Sequence, residues 1–600
     1  MPGLHLLAGI EQHLLDLEQK LKDYLPHLHH LPNYYDKTLV KDKFYMLASS
    51  AYPHYPIQFQ DTKRFIIYFE GYAYNKSQKV IIDELTGIAE ECVSCPEKKL
   101  YLIRRWVEDA DGDYVVVIVF RNEEELIVFN DSLGCLPIYF YLADDSFILS
   151  REMKLIAHLI PHRRIDEESL MEYLAFGCPL KDRTLVEGIK YLPYSTALTC
   201  RFKGGKNLQV SLDKYGNINL DRRDYRLANN RQSADHLADL FTESCANISK
   251  CFSEDNILTS LTGGMDSRAV AMALKRVGAN NVGVCFLDKE GIFKDDVRIS
   301  EQVAKALEID WRCYNLPENK YEDMLRIIRQ KFGAVTVNHG SIHYFNEGIA
   351  SEFGSDSVVL SGDGGNAYLT SVVPPSKPQK IEDSAKFITD KYKTLPYAVI
   401  CRILDIPKKR LFEHICNLLS SYEEEDQYNK LVHFCALEQD SRLYYESEDR
   451  SRIYHWFTTP FRSAPFVLYA LSIPDSYRRN RILYRHFLER LDPRRRIMNI
   501  TYEAWKLPIT TPLAPVIYQM ERMRRVKHLI KRMLKKESFP KFIPDEDLIE
   551  KLQTCLLKSG GGTLNLDGTI QYLRNCDNRY GFFFLVTIIL AQEFLQDDLI

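Results

Sequence analysis

Short β-branched and aromatic runs crowd the first third of the chain. They are RFIIYFEGYAYN (64–75), YVVVIVFRN (114–122), ELIVFND (125–131) and PIYFYLADDSFILS (137–150), parted by turn signals such as Asp111-Gly112-Asp113 and Asn122-Glu123. Such runs predict strands of an antiparallel α+β layer domain. The polar stretch 213–233 ends the pattern, and the rhythm then changes. A helix over 233–251 leads to the apolar run Ile257 to Leu261, a glycine turn and a second helix over 267–277. The strand VGVCFLD (282–288), the helix RISEQVAKALEI (298–309) and the strand SVVLSGD (357–363) follow. Apolar strands alternating with helical periodicity predict a parallel α/β sheet. From about 385 onward the pattern is mostly helical, and Phe582 to Ala591 reads as a buried helix. The expected division is 1–215 and 232–600.

A chain of 600 residues is too long for one core, which agrees with two domains. Its 45% hydrophobic and 27% charged content is that of an ordinary soluble protein. A net charge of −4 argues against a general nucleic-acid binder. The longest late apolar run is about half a membrane span, and the start of the chain, without a basic leader, makes a poor signal peptide. Fourteen scattered cysteines predict reduced thiols in the cytoplasm. Cys92 and Cys95 form a lone CxxC without a second pair nearby. His27, His29 and His30 crowd before Pro32 and read as a solvated helix end.

The chemistry concentrates in TSLTGGMDSRAVAMAL (259–274). Gly263 and Gly264 let backbone N–H groups close on an anion without a Cβ in the way. The helix that follows adds the positive end of its dipole. Asp266 offers a hard oxygen to Mg²⁺, and Thr262 and Ser267 offer hydroxyls to phosphate oxygens. The spacing is not that of the GxxxxGK[ST] loop. It resembles the SGGxDS loop of the ATP pyrophosphatases, which bind the pyrophosphate of ATP and activate a carboxyl by adenylation.

Further matches, in order, resemble the asparagine synthetase family over about 400 residues. Residues 111–141 are similar to its GDFAFALWD…RDRxGxKPLYY hairpin, and RTLVEGIKYLP (183–193) to its TxFxGIxxLPPG segment. LSGDGGNAYL (360–369) resembles LSGDGxDExFGGY, and residues 458–488 resemble the segment beginning RVPFLD. Lys506, six residues before Pro512, sits where RxKxGFxxP has its lysine. The resemblance implies an N-terminal Ntn-hydrolase-like, class II amidotransferase-like αββα domain. A parallel α/β synthetase domain of the ATP-pyrophosphatase type, with a helical C-terminal part, would follow it.

In the synthetase half, the resemblance implies that Leu261, Thr262, Gly263, Gly264, Ser267, Gly362 and Gly364 surround ATP and its pyrophosphate. Phe286 lies on the strand expected to meet adenine. Asp266 and Asn366 would hold Mg²⁺, Asp363 would accept a proton, and Lys506 would stabilise charge in acyl transfer. Arg268, in place of a small residue, would add a phosphate contact or pack on the helix surface. Asn366 and Ala367 stand where the family has aspartate and glutamate, and Arg462-Ser463 replace the Leu-Asp of PFLD.

Departures in the first half suggest a domain without glutaminase activity. The family begins Met-Cys-Gly and attacks glutamine with the cysteine thiolate; here the residues are Met1-Pro2-Gly3. The NGEIYN strand reads FEGYAYN, which keeps Gly71 and Asn75 but puts Glu70 where an amide would stabilise the oxyanion. The family members β-lactam synthetase and the lasso-peptide cyclases also lack the cysteine and use an amine of the substrate. The expected substrate is therefore a small molecule or peptide bearing a carboxylate and an amine, with a precursor peptide or carrier as partner. An ammonia-dependent carboxamide synthetase and a nucleotide-binding pseudoenzyme or partner subunit are the alternatives. The basic stretch MERMRRVKHLIKRMLKK (520–536) reads as an amphipathic surface helix or a docking face for an acidic partner. A homodimer is expected only by analogy with the family.

Overall fold

The structure, a computed structural model, describes all residues except 204–206, 223–228, 333–335, 373, 375, 503, 505, 515–516, 518–543, 559–562, 577 and 597–600. The basic stretch 520–536 lies outside the described residues.

Twelve strands build the first half. They are β1 (Gly3–Gly9), β2 (Tyr35–Lys41), β3 (Tyr45–Ala51), β4 (Ile57–Asp61), β5 (Phe65–Ala73), β6 (Gly112–Phe120), β7 (Glu125–Asn130), β8 (Tyr139–Leu142), β9 (Ser146–Ser150), β10 (Ile189–Tyr191), β11 (Thr196–Lys203) and β12 (Asn207–Lys214). They pair antiparallel in two six-stranded sheets, ordered β10-β8-β9-β1-β3-β2 and β12-β11-β7-β6-β5-β4. Alternation explains the layers. Val115, Val117 and Val119 of β6 meet Leu4 and Leu6 of β1 in the shared core between the sheets. Val116 and Ile118 face outward and pack on Leu85, Trp106 and Val107 of the helices Gln78–Ser94 and Lys99–Asp109. Leu7 and Ile148 likewise turn away from the sandwich, onto Leu14, Leu17 and Ile156. The result is the αββα layering expected from the sequence.

The helix Asn230–Ser249 opens the second half. Its sheet is parallel: β13 (Ile257–Ser260), β14 (Val282–Leu287), β15 (Asp310–Asn315), β16 (Val358–Leu360) and β17 (Trp456–Thr458), in the order β15-β14-β13-β16-β17. Consecutive strands run outward from β13 in one direction, and the chain then crosses to place β16 on the other side. That reversal opens a crevice between the carboxyl ends of β13 and β16. The tail after 385 is mostly helical, as expected, and β17 is a strand within it that the sequence did not announce: its three residues are too few to show a period against the helices around them. The helix at 298 begins earlier, at Lys294, because its first turn carries the acidic pair Asp295-Asp296. Helix Arg579–Gln596 buries Phe582 to Ala591 as expected. No helix among the described residues is long and apolar enough to cross a membrane.

One sequence reading fails here. His30 is not solvated: it is buried, with Nε2 2.5 Å from Glu152 Oε1. His27 and His29 do stay exposed, His29 beside Asp36.

Candidate functional site

The loop after β13 fills one side of the crevice. Leu261 is buried and its N–H continues the sheet to the Val284 carbonyl, 2.8 Å away. Thr262 and Gly263 then turn the chain into helix Met265–Arg276. Ser267 closes that turn, accepting the Thr262 N–H at 3.0 Å and lying 3.0 Å from the Thr262 hydroxyl. Gly264 has φ −73°, so it is needed for room and not for a left-handed turn: a Cβ there would sit 3.2 Å from Thr262 Oγ1. The Gly263 N–H, an expected phosphate donor, bonds Asp296 Oδ1 at 2.7 Å.

The loop after β16 supplies the other side. Gly362 packs so closely that a Cβ would fall 2.5 Å from Ser267 N and 2.8 Å from Asp266 Cβ. Gly364, at φ +94°, reverses the chain, and a Cβ on Gly365 would meet Asp266 Oδ1 at 2.7 Å. The three glycines thus bring Asp363 and Asn366 against Asp266. Asn366 donates its amide to Asp266 Oδ2 at 3.0 Å, and the Tyr484 hydroxyl bonds Oδ1. Burial pushes the Asp266 carboxyl up to about 7; Arg481 opposes this and Asp363 adds to it. Burial likewise raises Asp363, against the pull of Arg462. Both carboxyls thus carry raised proton affinities, and their oxygens are of the kind that Mg²⁺ takes. Asn366 presents nitrogen to Asp266, so here it acts as a donor and not as an oxygen ligand. Among the described residues no group of three or more His, Cys, Asp or Glu could hold a metal ion.

Arg268 does not pack on the helix surface. It is buried and donates to four carbonyls, Gly263 at 3.0 Å, Ile497 at 3.3 Å, Ile500 at 3.0 Å and Thr501 at 2.6 Å. It therefore ties the loop to the segment leading to Lys506. That lysine sits at φ +56° in the turn of a small hairpin, Thr501–Tyr502 with Leu507–Pro508. Its ammonium is 2.5 Å from Asp295 Oδ2. Since Asp295 neighbours Asp296, the structure brings Lys506 to the edge of the loop. Phe286 lies past the last β13–β14 pair, its ring 5.1 Å from Phe293 and 5.3 Å from Phe345.

Several residues of this site escaped the sequence reading: Tyr484, Arg481, Asp295, Asp296 and Glu448. Glu448 pairs with Arg462 at 2.5 Å, and burial pushes it up to about 8. None belongs to a local motif, because each arrives from a helix remote in the chain. The missing PFLD aspartate has a substitute from the other half. Asp111 accepts the Ala464 N–H at 2.8 Å, at the start of helix Ala464–Ser472.

In the first half, Glu70 is fully buried. It accepts from Leu4 N (2.9 Å), the hydroxyls of Tyr55 (2.6 Å) and Tyr68 (2.8 Å), and Arg151 Nε (2.9 Å). Its charge is thus matched by a guanidinium, and the expected bare anion is instead an anchor. Gly71 keeps φ +102°, while Asn75 braces the turn through the Asp109 carbonyl (2.7 Å) and the Asp111 N–H (3.0 Å).

Among solved structures, the chain is similar to a glutamine phosphoribosylpyrophosphate amidotransferase from B. subtilis complexed with ADP and GMP. Identity is 10%, covering 52% of this chain and 90% of that one, with a TM-score of 0.22. It is also similar to NMN synthetase from Francisella tularensis, at 13% identity over 38% of this chain and 97% of that one, with a TM-score of 0.19. No curated protein matches. Two family models do: a glutamine amidotransferase domain over residues 39–211 and asparagine synthase over residues 236–553. The second spans more than half of the chain and contains both crevice loops and Lys506, so the chain belongs to the asparagine synthase family.

Proposed function

We propose that the chain is an ATP-dependent, AMP-forming amide synthetase that joins a substrate carboxylate to a preformed amine, without hydrolysing glutamine. One observation carries this reading: two glycine-bearing loops meet at the sheet's switch point and hold Asp266 and Asp363 beside a helix N-terminus. Phosphate binds naturally at such a place. The carboxylate of the substrate attacks the α-phosphorus of ATP, giving an acyl-adenylate and pyrophosphate. The amine then attacks the acyl carbon, and AMP leaves. Thr262, Gly263, Gly264 and Ser267 bind the pyrophosphate, and Asp266 would hold Mg²⁺, which would supply charge neutralisation when bound. Asp363, whose proton affinity burial raises, accepts the proton of the amine in its ionised form. Lys506 leaves Asp295 for the negative charge of the departing group.

Glu70 with Arg151 supports the absence of glutaminase chemistry, since the pair fills the place of the family's neutral amide. Whether the amine and the acid belong to one molecule is decided by the product, cyclic or open. The test is pyrophosphate release with ATP, Mg²⁺ and a panel of amino-bearing acids. Asp266→Ala should abolish release, and Lys506→Ala should lower it by about 10²-fold or more. Product formed from free ammonium in place of the tethered amine would favour the carboxamide reading. A second reading, a nucleotide-binding pseudoenzyme, draws on Asn366, Ala367 and the bond from the Gly263 N–H to Asp296. Tight ATP binding with no pyrophosphate release across the panel would select it.

A further inference from the structure

A cavity of about 380 Å³ lies between the two halves, away from the crevice of the parallel sheet. That is the volume of a small-molecule pocket. Its walls come from the end of β10 and the start of β11 in the first half, and from residues 421–445 of the helical part. Four tyrosines, Tyr191, Tyr194, Tyr422 and Tyr445, give it flat apolar surfaces.

Its polar groups are buried and incompletely bonded. Arg442 is 5% exposed and stacks 3.6 Å over the Tyr191 ring. One of its nitrogens donates to the Arg183 carbonyl at 2.9 Å, while Nε and Nη1 have no partner. Glu424, 2% exposed, accepts on Oε1 from His433 at 2.8 Å and from the Leu220 N–H at 3.2 Å and leaves Oε2 unpartnered, as is the Tyr422 hydroxyl. Buried groups of this kind ordinarily find partners. Here the unmet demand has both signs: two guanidinium nitrogens lacking an acceptor and one carboxylate oxygen lacking a donor. Charges of both signs share the walls, Asp182, Glu423, Glu424 and Glu438 beside Lys181, Lys214 and Arg442, which suits a zwitterion better than a polyanion such as a nucleotide. A second observation falls on the same wall. Residues Phe434–Gln439 form a π-helical turn, and Leu437 and Glu438 from it line the cavity. Such turns sacrifice regular hydrogen bonding and are frequent at functional sites.

We propose that this cavity binds a free α-amino acid, its carboxylate on Arg442, its ammonium on Glu424, and its side chain among the tyrosines. The site is independent of the nucleotide reading, but it shares a helix with the crevice. On Asp440–Ser451, Ser441, Arg442 and Tyr445 face the cavity, and Glu448, one turn beyond Tyr445, pairs with Arg462 beside Asp363. Arg462 in turn lies 4.1 Å over the Tyr445 ring.

The test is calorimetric titration of the full chain, without nucleotide, with each of the common L-amino acids at millimolar concentration. For any that binds, the corresponding decarboxylated amine and N-acetyl acid are titrated in parallel. Saturable binding of at least one amino acid is expected, weakened tenfold or more for both of its one-charge analogues. Glu424→Gln and Arg442→Gln should each weaken it by a similar factor. Leu212→Trp, at a half-exposed position on the rim, should block it without disturbing the core. Asp266→Ala should leave it unchanged, which separates this site from the crevice. No saturation by any amino acid overturns the proposal. So does binding that survives Leu212→Trp and Glu424→Gln, or binding lost in Asp266→Ala.

Discussion

Asp266 carries two consequences at the scale of one side chain. Its carboxyl is raised from an ordinary value near 3.8 to about 7, so the folded protein holds its proton more tightly than the unfolded chain. The stabilisation this gives is complete below the unfolded value and is lost as pH rises through about 7. Asp266→Asn should therefore melt at a higher temperature than the parent above about pH 7, by a free energy on the order of a few kcal/mol. The difference should vanish near pH 4, and thermal melts across that range check it. If the carboxylate must be ionised to hold Mg²⁺, pyrophosphate release should rise over the same interval in which stability falls. At this scale Asp266 and Ser267 were legible, because the loop that carries them is contiguous. Tyr484, Arg481 and Asp296 were not: each reaches the crevice by folding and leaves no spacing in the chain to read. Arg268 was visible as a substitution, but its direction was not, since three of its four carbonyl partners lie more than 200 positions away.

The loop after β16 states what an element must do to make the site. Gly362 touches Ser267 N and Asp266 Cβ at distances no β-carbon tolerates, so Gly362→Ala must push this loop off helix Met265–Arg276. The expected cost is about 1–3 kcal/mol in stability, as for other overpacked positions. Any pyrophosphate-releasing activity should fall further than the stability does, because Asp363 would part from Asp266. Denaturant midpoints and turnover measured on the same preparation test both. The strands and helices flanking the loops follow from the alternation of apolar runs and helical period, which is why β13, β14 and β16 were readable. β17 was not, with only Trp456, Phe457 and Thr458 to announce it. Its place is set by pairing with β16, a long-range fact that local pattern does not contain.

Across the whole molecule, buried charges join the halves. Arg151 reaches both Glu70 in the first half and Asp449 in the second. Lys331 lies 2.7 Å from Asp449 and 3.0 Å from Glu446, and Arg452 donates to Asp113 at 2.9 Å. Burial would raise Asp449, but Arg151, Lys331 and Arg452 outweigh it and hold the acid at about 2. A depressed acid stabilises the fold above its unfolded value, and that contribution disappears as pH falls toward about 2. Asp449→Asn, which keeps the shape and strands three buried cations, should cost about 3–5 kcal/mol. Urea titration at neutral pH measures it; a change under about 1 kcal/mol would mean that the cations find water or other partners.

This arrangement bears on how such a gene can change. Neither segment can be discarded by deletion, whatever reactions the first one retains, because each neutralises ions that the other has removed from solvent. A break between residues 214 and 230 would yield two polypeptides obliged to meet before either became a settled structure.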